Sequence, residues 1–311
     1  MMYFGRPPVG RFAPTPSGRM HLGNVFAAMA AWLSVRSKGG LMVLRMEDLD
    51  TQRTSEEYAE TLRQDLQWLG LDWDIETEPQ STRTEAYEEY FEKLRDMDLL
   101  YPCYCTRSQL HSADAPHLSD GTYVYPGTCR NLSEAEKAAF DRKPAWRVKV
   151  PDKLWKFHDL VQGRYAENLQ THCGDFVVRR ADDVFVYQLA VTVDDGEAEV
   201  TEVVRGMDLL SSAPRQMYLQ ELFGFKHPQY AHVPMLLAPD GRRLSKRDKD
   251  LDLGQLKKHV TAEQLLGVLA HAGGLTKKPE AISARELASI FDWNNMSTED
   301  IYLDKTHLSF L

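Results

Sequence analysis

Histidine 21 stands between a Pro/Gly-rich turn and a run that reads as a helix. The order is Arg11-Phe12-Ala13-Pro14-Thr15-Pro16-Ser17-Gly18, then His21-Leu22-Gly23-Asn24. A helix start presents unpaired backbone N–H groups and the positive end of the helix dipole, so it attracts phosphate. Gly18 and Gly23 allow the backbone to approach an anion closely. His21 can donate to a phosphate oxygen as charge builds in a transition state. Far downstream, a Pro239-Asp240-Gly241 turn leads into the basic run Arg243-Leu244-Ser245-Lys246-Arg247. A lysine on such a loop can close over a triphosphate and stabilise its developing charge. Each pattern alone also fits something plainer: an ordinary turn before a helix, or a solvated basic loop.

The second chemical signal is thiol. Cys103 and Cys105 form a Cys-x-Cys pair, with Cys129 downstream, and three thiolates in one short segment suit tetrahedral zinc. On the residues alone the fourth ligand is open among His111, His117, Tyr123 and Tyr125, histidine being the usual choice. Cys173 has no companion and reads as a packed thiol.

Elements that could position these groups are legible around them. Val9 to Ala13 reads as a strand, Leu22 to Ser37 as a helix stopped by Gly39-Gly40, and Leu41 to Met46 as an apolar strand. Thr54 and Glu57 have capping-box spacing ahead of a helix reaching Leu69, and Ser81 to Met97 predicts another helix. Strand and helix in alternation predict an α/β protein with a parallel sheet. Residues 101 to 130 lack periodicity. Trp146 to Val150, Asp175 to Arg180, Val184 to Val193 and Ala198 to Arg205 read as strands, Pro214 to Phe223 as a helix, and Tyr230 to Leu237 leads into the turn. Thr261 to His271 and Ser283 to Phe291 predict two short amphipathic helices, with Leu265, Leu266, Leu269, Leu287 and Ile290 as apolar positions.

The chain has 311 residues, enough for a body of two or three parts. Hydrophobic residues make up 43% and charged residues 27%, ordinary for a globular protein. No apolar run reaches membrane-spanning length and the start lacks a secretory signal, so a cytoplasmic location is expected. The net charge of -9 means that global electrostatics do not recruit nucleic acid, and any RNA must meet a local basic surface. The charge is uneven: Glu47 to Asp98 is acidic, Arg242 to Lys258 basic.

Taken together and in this order, the His21 and Lys246 motifs resemble the two signatures of the class I aminoacyl-tRNA synthetases, a HIGH-type and a KMSKS-type motif. Arg11 to Gly18, Arg45-Met46-Glu47-Asp48-Leu49-Asp50 and Val204-Arg205-Gly206-Met207-Asp208-Leu209-Leu210 are similar to the glutamyl/glutaminyl branch, and the resemblance covers roughly residues 9 to 250. Asn24 takes the final His position of the first motif. Arg243 replaces the first Lys of the second, which leaves the phosphate contact with Lys246.

The resemblance implies a class I Rossmann-like core over residues 1–100 and 191–250, a zinc-bearing α+β insertion over 101–190, and a small helical domain over 251–311. It implies His21 and Lys246 as catalytic residues. Pro14, Ser17, Gly18, His21, Gly23, Asn24, Arg243, Ser245 and Lys246 would contact ATP, which arrives with Mg²⁺. Arg11, Phe12, Ala13, Pro14, Thr15, Glu47, Tyr187 and Arg205 would line a glutamate pocket. In it Arg11 serves the side-chain carboxylate and Glu47 the α-amino group, though which arginine takes which carboxylate stays open. An arginine fork suits a carboxylate, and a carboxylate suits an ammonium.

Only Leu253 to Leu311 follows the second motif, too short for an anticodon reader, which points to the glutamyl-Q tRNA(Asp) synthetase branch. Tyr125-Pro126-Gly127-Thr128-Cys129 resembles that branch's Tyr-x-x-x-Cys element, which makes Tyr125 the fourth ligand of one structural zinc beside Cys103, Cys105 and Cys129. The expected activity is tRNA-independent activation of L-glutamate with ATP, then transfer to queuosine in aspartate tRNA, by a monomer with no membrane partner. The rivals are a shortened glutamyl-tRNA synthetase charging a tRNA 3′ end, a non-catalytic regulatory paralogue, and another nucleotidyltransferase.

Overall fold

Strand β1 (Val9–Phe12) pairs in parallel with β2 (Leu41–Leu44), Val9 opposite Leu41 and Phe12 opposite Leu44, and β2 pairs in parallel with β3 (Ile75–Glu76). Parallel neighbours require crossovers, supplied by helices α1 (Leu22–Arg36) and α2 (Glu56–Trp68). The computed structural model describes residues 6–110, 124–238, 240–242 and 253–303. Helix α1 is apolar on nearly every side: Leu22, Val25, Phe26, Met29, Trp32 and Leu33 are all buried. Such a helix must be covered all round. The sheet lies on one side, and helices from the end of the chain lie on the other.

The chain then leaves the sheet. Helix α3 (Thr84–Asp96) leads to β4 (Leu100–Cys103) and the single-turn α4 (Arg107–Leu110). Short α5 (Glu134–Ala138) precedes β5 (Ala145–Val148), which pairs antiparallel with β4. A hairpin follows, β6 (Leu154–Asp159) with β7 (Gly163–Asn168), then α6 (Leu169–His172) and β8 (Phe176–Arg179), antiparallel to β5. Tyr87, Phe91, Val148, Trp155, Phe176 and Phe185 fill a second core there.

Helix α7 (Tyr187–Glu197) returns the chain, running through the expected boundary between residues 190 and 191. Strand β9 (Glu202–Gly206) reaches the free edge of β1, where Thr201 N–H donates to Val9 O at 2.8 Å. After helix α8 (Ser212–Phe223), β10 (Gln229–Val233) pairs in parallel with β9. Two-residue β11 (Leu236–Leu237) pairs in parallel with β12 (Ile301–Tyr302), which ties the end of the described chain back to the core. Between them lie α9 (Leu253–Leu256), α10 (Ala262–Ala272) and α11 (Ala284–Ile290). The last two open on capping boxes, Thr261 with Gln264 and Ser283 with Glu286. Leu265, Leu266, Leu269 and Leu287 share one core with α1, whereas Ile290 is exposed.

This is the α/β architecture with a parallel sheet that the alternation of elements predicts. Some local expectations differ. Val184 to Val193 reads as a strand, yet the chain folds into α7, because Leu189, Ala190 and Val193 pack into the second core and Asp194 and Asp195 turn inward onto arginines. The β preference of valine and threonine spans only ~1 kcal/mol and yields to such packing. Helix α2 is capped by Ser55, whose side chain accepts from Tyr58 N–H, while Thr54 hydroxyl donates to Asp50 O. Helix α3 begins at Thr84, after a 3-10 turn over Gln80–Thr82, because Asp48 accepts from both the N–H and the hydroxyl of Ser81 at 2.8 and 2.6 Å. The β6–β7 hairpin carries no turn dipeptide that announces it; Gly163 supplies the positive φ that closes it. Among the described residues, no helix is long and apolar enough to cross a membrane.

Gly267 on α10 tests how tightly the last helices are docked. A Cβ there would stand 2.0 Å from the backbone oxygen of Glu280. Gly267→Ala should therefore lower stability by about 1–3 kcal/mol through overpacking, although alanine favours the helix by ~1 kcal/mol. Thermal unfolding checks the sign; a higher Tm would mean that helix propensity wins.

Candidate active site

β1 ends at Phe12 and the chain crosses the top of the sheet before α1 begins. His21 is the N-cap of α1, with its N–H on Asn24 Oδ1 at 3.3 Å. Gly18 sits at φ 148°, where side-chain-bearing residues are strained. Gly23 brings α1 against the histidine: a Cβ on Gly23 would lie 3.1 Å from the His21 ring. Over this turn opens a cavity of about 620 Å³. Pro14, Ser17, Gly18, His21, Gly23 and Asn24 line it on one side. Arg11, Phe12, Ala13 and Thr15 line its floor, with Glu47, Tyr187 and Arg205 from three other elements. Every sequence-predicted nucleotide or glutamate contact within the described residues therefore faces one space. Ala27, Ala28 and Ala31 of α1 and Leu62 and Leu66 of α2 add an apolar wall.

Arg243, Ser245 and Lys246 lie outside the described residues, so a shared site for His21 and Lys246 is approached only through the flanks. On one flank Leu236 lines the cavity; on the other, Leu253 N–H donates to Met20 O, beside His21.

A buried ion network forms the deep end. Arg45, 1% exposed, reaches Asp195 at 2.7 Å, Glu47 at 3.0 Å and Asp194 at 3.5 Å. Arg11 meets Asp195 at 3.5 Å and donates to Val204 O at 3.1 Å. Asp194 takes further bonds from Gln80, Arg83 and Tyr87. Burial by itself pushes Asp195 up, but Arg45 and Arg11 overcome it and hold the carboxyl below its ordinary range. Glu47 goes the other way. Burial raises it, and Arg45 and Arg11 only partly oppose the rise. A cation placed in the cavity would complete its pairing.

Arg205 is held from several directions. Its Nε donates to His232 Nε2 at 2.9 Å, and its Nη1 donates to Gln216 Oε1 at 2.8 Å and Tyr187 Oη at 3.4 Å. Its buried Nη2 has no hydrogen-bond partner among the described residues. A buried guanidinium with an open donor is suited to an incoming carboxylate. Burial raises the Tyr187 phenol, so it stays protonated. The space thus offers arginines for carboxylates, a glutamate for an ammonium, and a helix start for phosphate.

A second cluster lies in the insertion. The sulfurs of Cys103, Cys105 and Cys129 lie within 4.8 Å of one another. Tyr125 Oη is 3.4 Å from Cys103 Sγ and 3.9 Å from Cys105 Sγ, and Cys105 Sγ is 3.6 Å from Cys129 Sγ. A tetrahedral zinc ~2.3 Å from each sulfur spreads its ligands to about 3.7 Å apart. The four donors fit that ion. His111, His117 and Tyr123, the other candidates for the fourth position, lie outside the described residues. Burial pushes the Cys103 thiol up, but the Tyr125 hydroxyl and Arg147 more than offset it. Burial and the neighbouring thiols push Cys105 up to about 12. Cys173 lies apart, donating to Leu169 O and Gly174 O, a packed thiol as its isolation in sequence suggests.

Sequence reasoning gave no role to Arg45, Asp194, Asp195, Asp159 or His232. Asp194 and Asp195 end an apolar run, a pattern that a buried acidic pair shares with many exposed ones. His232 sits within a short strand with no motif around it.

Known proteins resemble this chain. The family of class I tRNA synthetase (E and Q) catalytic domains matches residues 9–310. A glutamyl-Q tRNA(Asp) synthetase of Nitratidesulfovibrio vulgaris is 46% identical over 279 residues, 86% of either chain. One from Symbiobacterium thermophilum is 43% identical over 308 residues, 94% of either chain. A crystal structure of a glutamate tRNA ligase from Elizabethkingia meningosepticum, in complex with its amino acid, superposes with TM-score 0.82 at 27% identity; the match covers 97% of this chain and 68% of that one.

The shared carboxylate of Asp195 yields a measurable pH effect. Its folded value is depressed, so its contribution is complete above the ordinary aspartate range and fades as pH falls through the folded value. Between about pH 5 and pH 3 the wild type should lose more stability in urea unfolding than Asp195→Asn. At neutral pH the variant should be less stable by about 3 kcal/mol, because Arg11 and Arg45 each lose a buried charge partner. Equal acid slopes would mean that these arginines do not hold the carboxylate charged.

Proposed function

Because this chain belongs to the glutamyl-Q tRNA(Asp) synthetases, a branch of the class I glutamyl and glutaminyl tRNA synthetase family, we propose that it activates L-glutamate with ATP, without tRNA, and transfers it to queuosine at the first anticodon position of aspartate tRNA. The observation that carries the reading is the single cavity in which the pocket of Arg11, Glu47, Tyr187 and Arg205 opens onto the His21 helix start.

In the first step an oxygen of the glutamate α-carboxylate attacks the α-phosphorus of ATP, and pyrophosphate leaves. The chemistry needs no protein nucleophile, so catalysis is positioning and charge stabilisation. Arg11 and Arg205 bind the two carboxylates, with Arg11 assigned to the side chain, and Glu47 binds the α-ammonium. Phe12, Ala13, Pro14 and Thr15 shape the floor. His21, with Ser17, Gly18, Gly23 and Asn24, holds the phosphates at the positive end of α1. Lys246, with Arg243 and Ser245 beside it in sequence, is assigned to the charge of the leaving pyrophosphate. Magnesium bound with the triphosphate would supply charge neutralisation to it. In the second step a hydroxyl of the queuosine cis-diol attacks the activated carbonyl, AMP leaves, and an ester forms. RNA contact by an acidic protein rests on local basic patches and weakens with salt.

Purified protein should catalyse glutamate-dependent exchange of pyrophosphate into ATP with no tRNA present. Labelled glutamate should enter tRNA from queuosine-containing cells alone, and periodate pretreatment, which cleaves the cis-diol, should abolish it. Labelling of queuosine-free tRNA would instead indicate charging of a 3′ end, and absence of exchange would indicate a non-catalytic paralogue.

Cys103, Cys105, Cys129 and Tyr125 would hold one structural zinc, pinning β4 and the segment before β5 to each other. The fit of their spacing to a tetrahedron supports this. Metal analysis should find about one equivalent of zinc per chain. In competition with a chelator, Tyr125→Phe should retain it at least about tenfold more weakly. Equal retention would remove Tyr125 from the ligand set.

A further inference from the structure

Arg205 and His232 are register partners on neighbouring parallel strands, so their side chains leave the sheet on the same face. Behind His232, and fully buried with it, stands Asp159, the last residue of β6. Asp159 Oδ1 accepts from the backbone N–H of Val161, Gln162 and His232, at 3.0, 2.9 and 3.1 Å. Its Oδ2 lies 2.6 Å from His232 Nδ1. The hairpin carrying Asp159 is latched to β10 by Leu160 N–H on Tyr230 O and Gln162 Nε2 on His232 O, both at 2.9 Å. The carboxylate therefore has little freedom to move.

Hydrogen-bond direction along this line has one solution. A carboxylate only accepts, so His232 Nδ1 carries the proton and donates to Asp159. That leaves Nε2 bare as an acceptor, which Arg205 Nε–H requires, since a guanidinium only donates. A second proton on His232 would set two donors against each other. Burial, assisted by the charge of Arg205, keeps the imidazole below its ordinary range despite the opposing pull of Asp159, consistent with a neutral ring. The ring is braced by Tyr230, stacked at 6.0 Å, and Tyr230 also lies 5.6 Å from the Arg205 guanidinium carbon.

We propose that Asp159 and His232 are positioning residues for glutamate binding: they fix the tautomer that takes Arg205 Nε, and so aim the remaining guanidinium nitrogen at a substrate carboxylate. Neither touches the cavity; both act through Arg205. The proposal rests on Arg205 serving as a carboxylate ligand, the reading given above. It also gives the β6–β7 hairpin a task in amino-acid selection, although the hairpin lies outside the parallel sheet.

Asp159→Asn is the decisive variant because it keeps the shape. Its Oδ1 can still accept from the three backbone groups, but an NH₂ now faces His232 Nδ1. The ring proton must move to Nε2, where it meets Arg205 Nε–H. In pyrophosphate exchange, the KM for glutamate should rise about tenfold or more while the KM for ATP stays within about twofold. Adding His232→Gln to Asp159→Asn should lower the glutamate KM again, because an amide oxygen can accept from Arg205 whatever its other neighbour. Nitrogen-15 histidine spectra of the free proteins read the tautomer directly: Nδ1–H in the wild type, Nε2–H in Asp159→Asn. An Nε2–H tautomer in the wild type overturns the proposal even if the variants fail to fold. So does a tautomer switch that leaves the glutamate KM unchanged or raises both KM values alike. Failure of the glutamate reading itself would look different, as wild-type exchange indifferent to glutamate with the Nδ1–H tautomer intact.

Discussion

Asp195, buried between Arg45 and Arg11, is the contact on which the rest of the site depends. It lies near the end of α7, whereas its partners lie in β1 and just after β2, 184 and 150 residues earlier. Taking such charges out of water costs several kcal/mol each, and their attraction only roughly offsets it. The network is therefore a poor source of net stability. What it supplies is position. Arg11 is anchored by Asp195 on one side and Val204 O on the other, and Glu47 is held by Arg45 from behind. Arg11 and Glu47 are thus each braced by another charge deeper in the protein.

That bracing divides the cavity by chemistry. At the deep end, arginines and Glu47 complement a small molecule bearing carboxylates and an ammonium. At the shallow end, the start of α1 carries a fixed positive potential, with no acidic residue in its first turn. Joining a carboxylate to a phosphate requires both environments within one space, and the crossing of β1 into α1 provides it within the run Arg11 to Asn24. A parallel sheet makes this natural, because ligands collect where strands end and crossover helices begin.

The insertion contributes at a distance. The end of β4 and the segments that follow it bring three cysteines and a tyrosine to zinc-ligand spacing. Its hairpin delivers Asp159 to His232, and through it to Arg205. Part of the machinery that shapes the pocket thus sits in a segment that shares the second core with α7, α8, β9 and β10 and is latched to the sheet by backbone hydrogen bonds.

Much of this was legible in the linear chain because its signals are local. A Pro/Gly turn before a helix, a His beside Gly23, a Cys-x-Cys pair and alternating strand and helix patterns each lie within a few residues. They identified the class of fold, the cradle and the sulfur cluster. Ordered resemblance across distant motifs then added Arg11, Glu47, Tyr187 and Arg205. What stayed hidden was set by partners far away in sequence. Val184 to Val193 has β-like composition and becomes a helix, since the burial of Leu189 and the pairing of Asp195 outweigh a propensity of ~1 kcal/mol. Nothing next to Asp159 or His232 announces them, because a buried polar residue is recognised by what it bonds to, and those bonds span 73 and 27 residues. Local chemistry can be read along a chain; which charges brace one another is decided only when tertiary packing excludes water and leaves each polar group no partner but the one the fold brings to it.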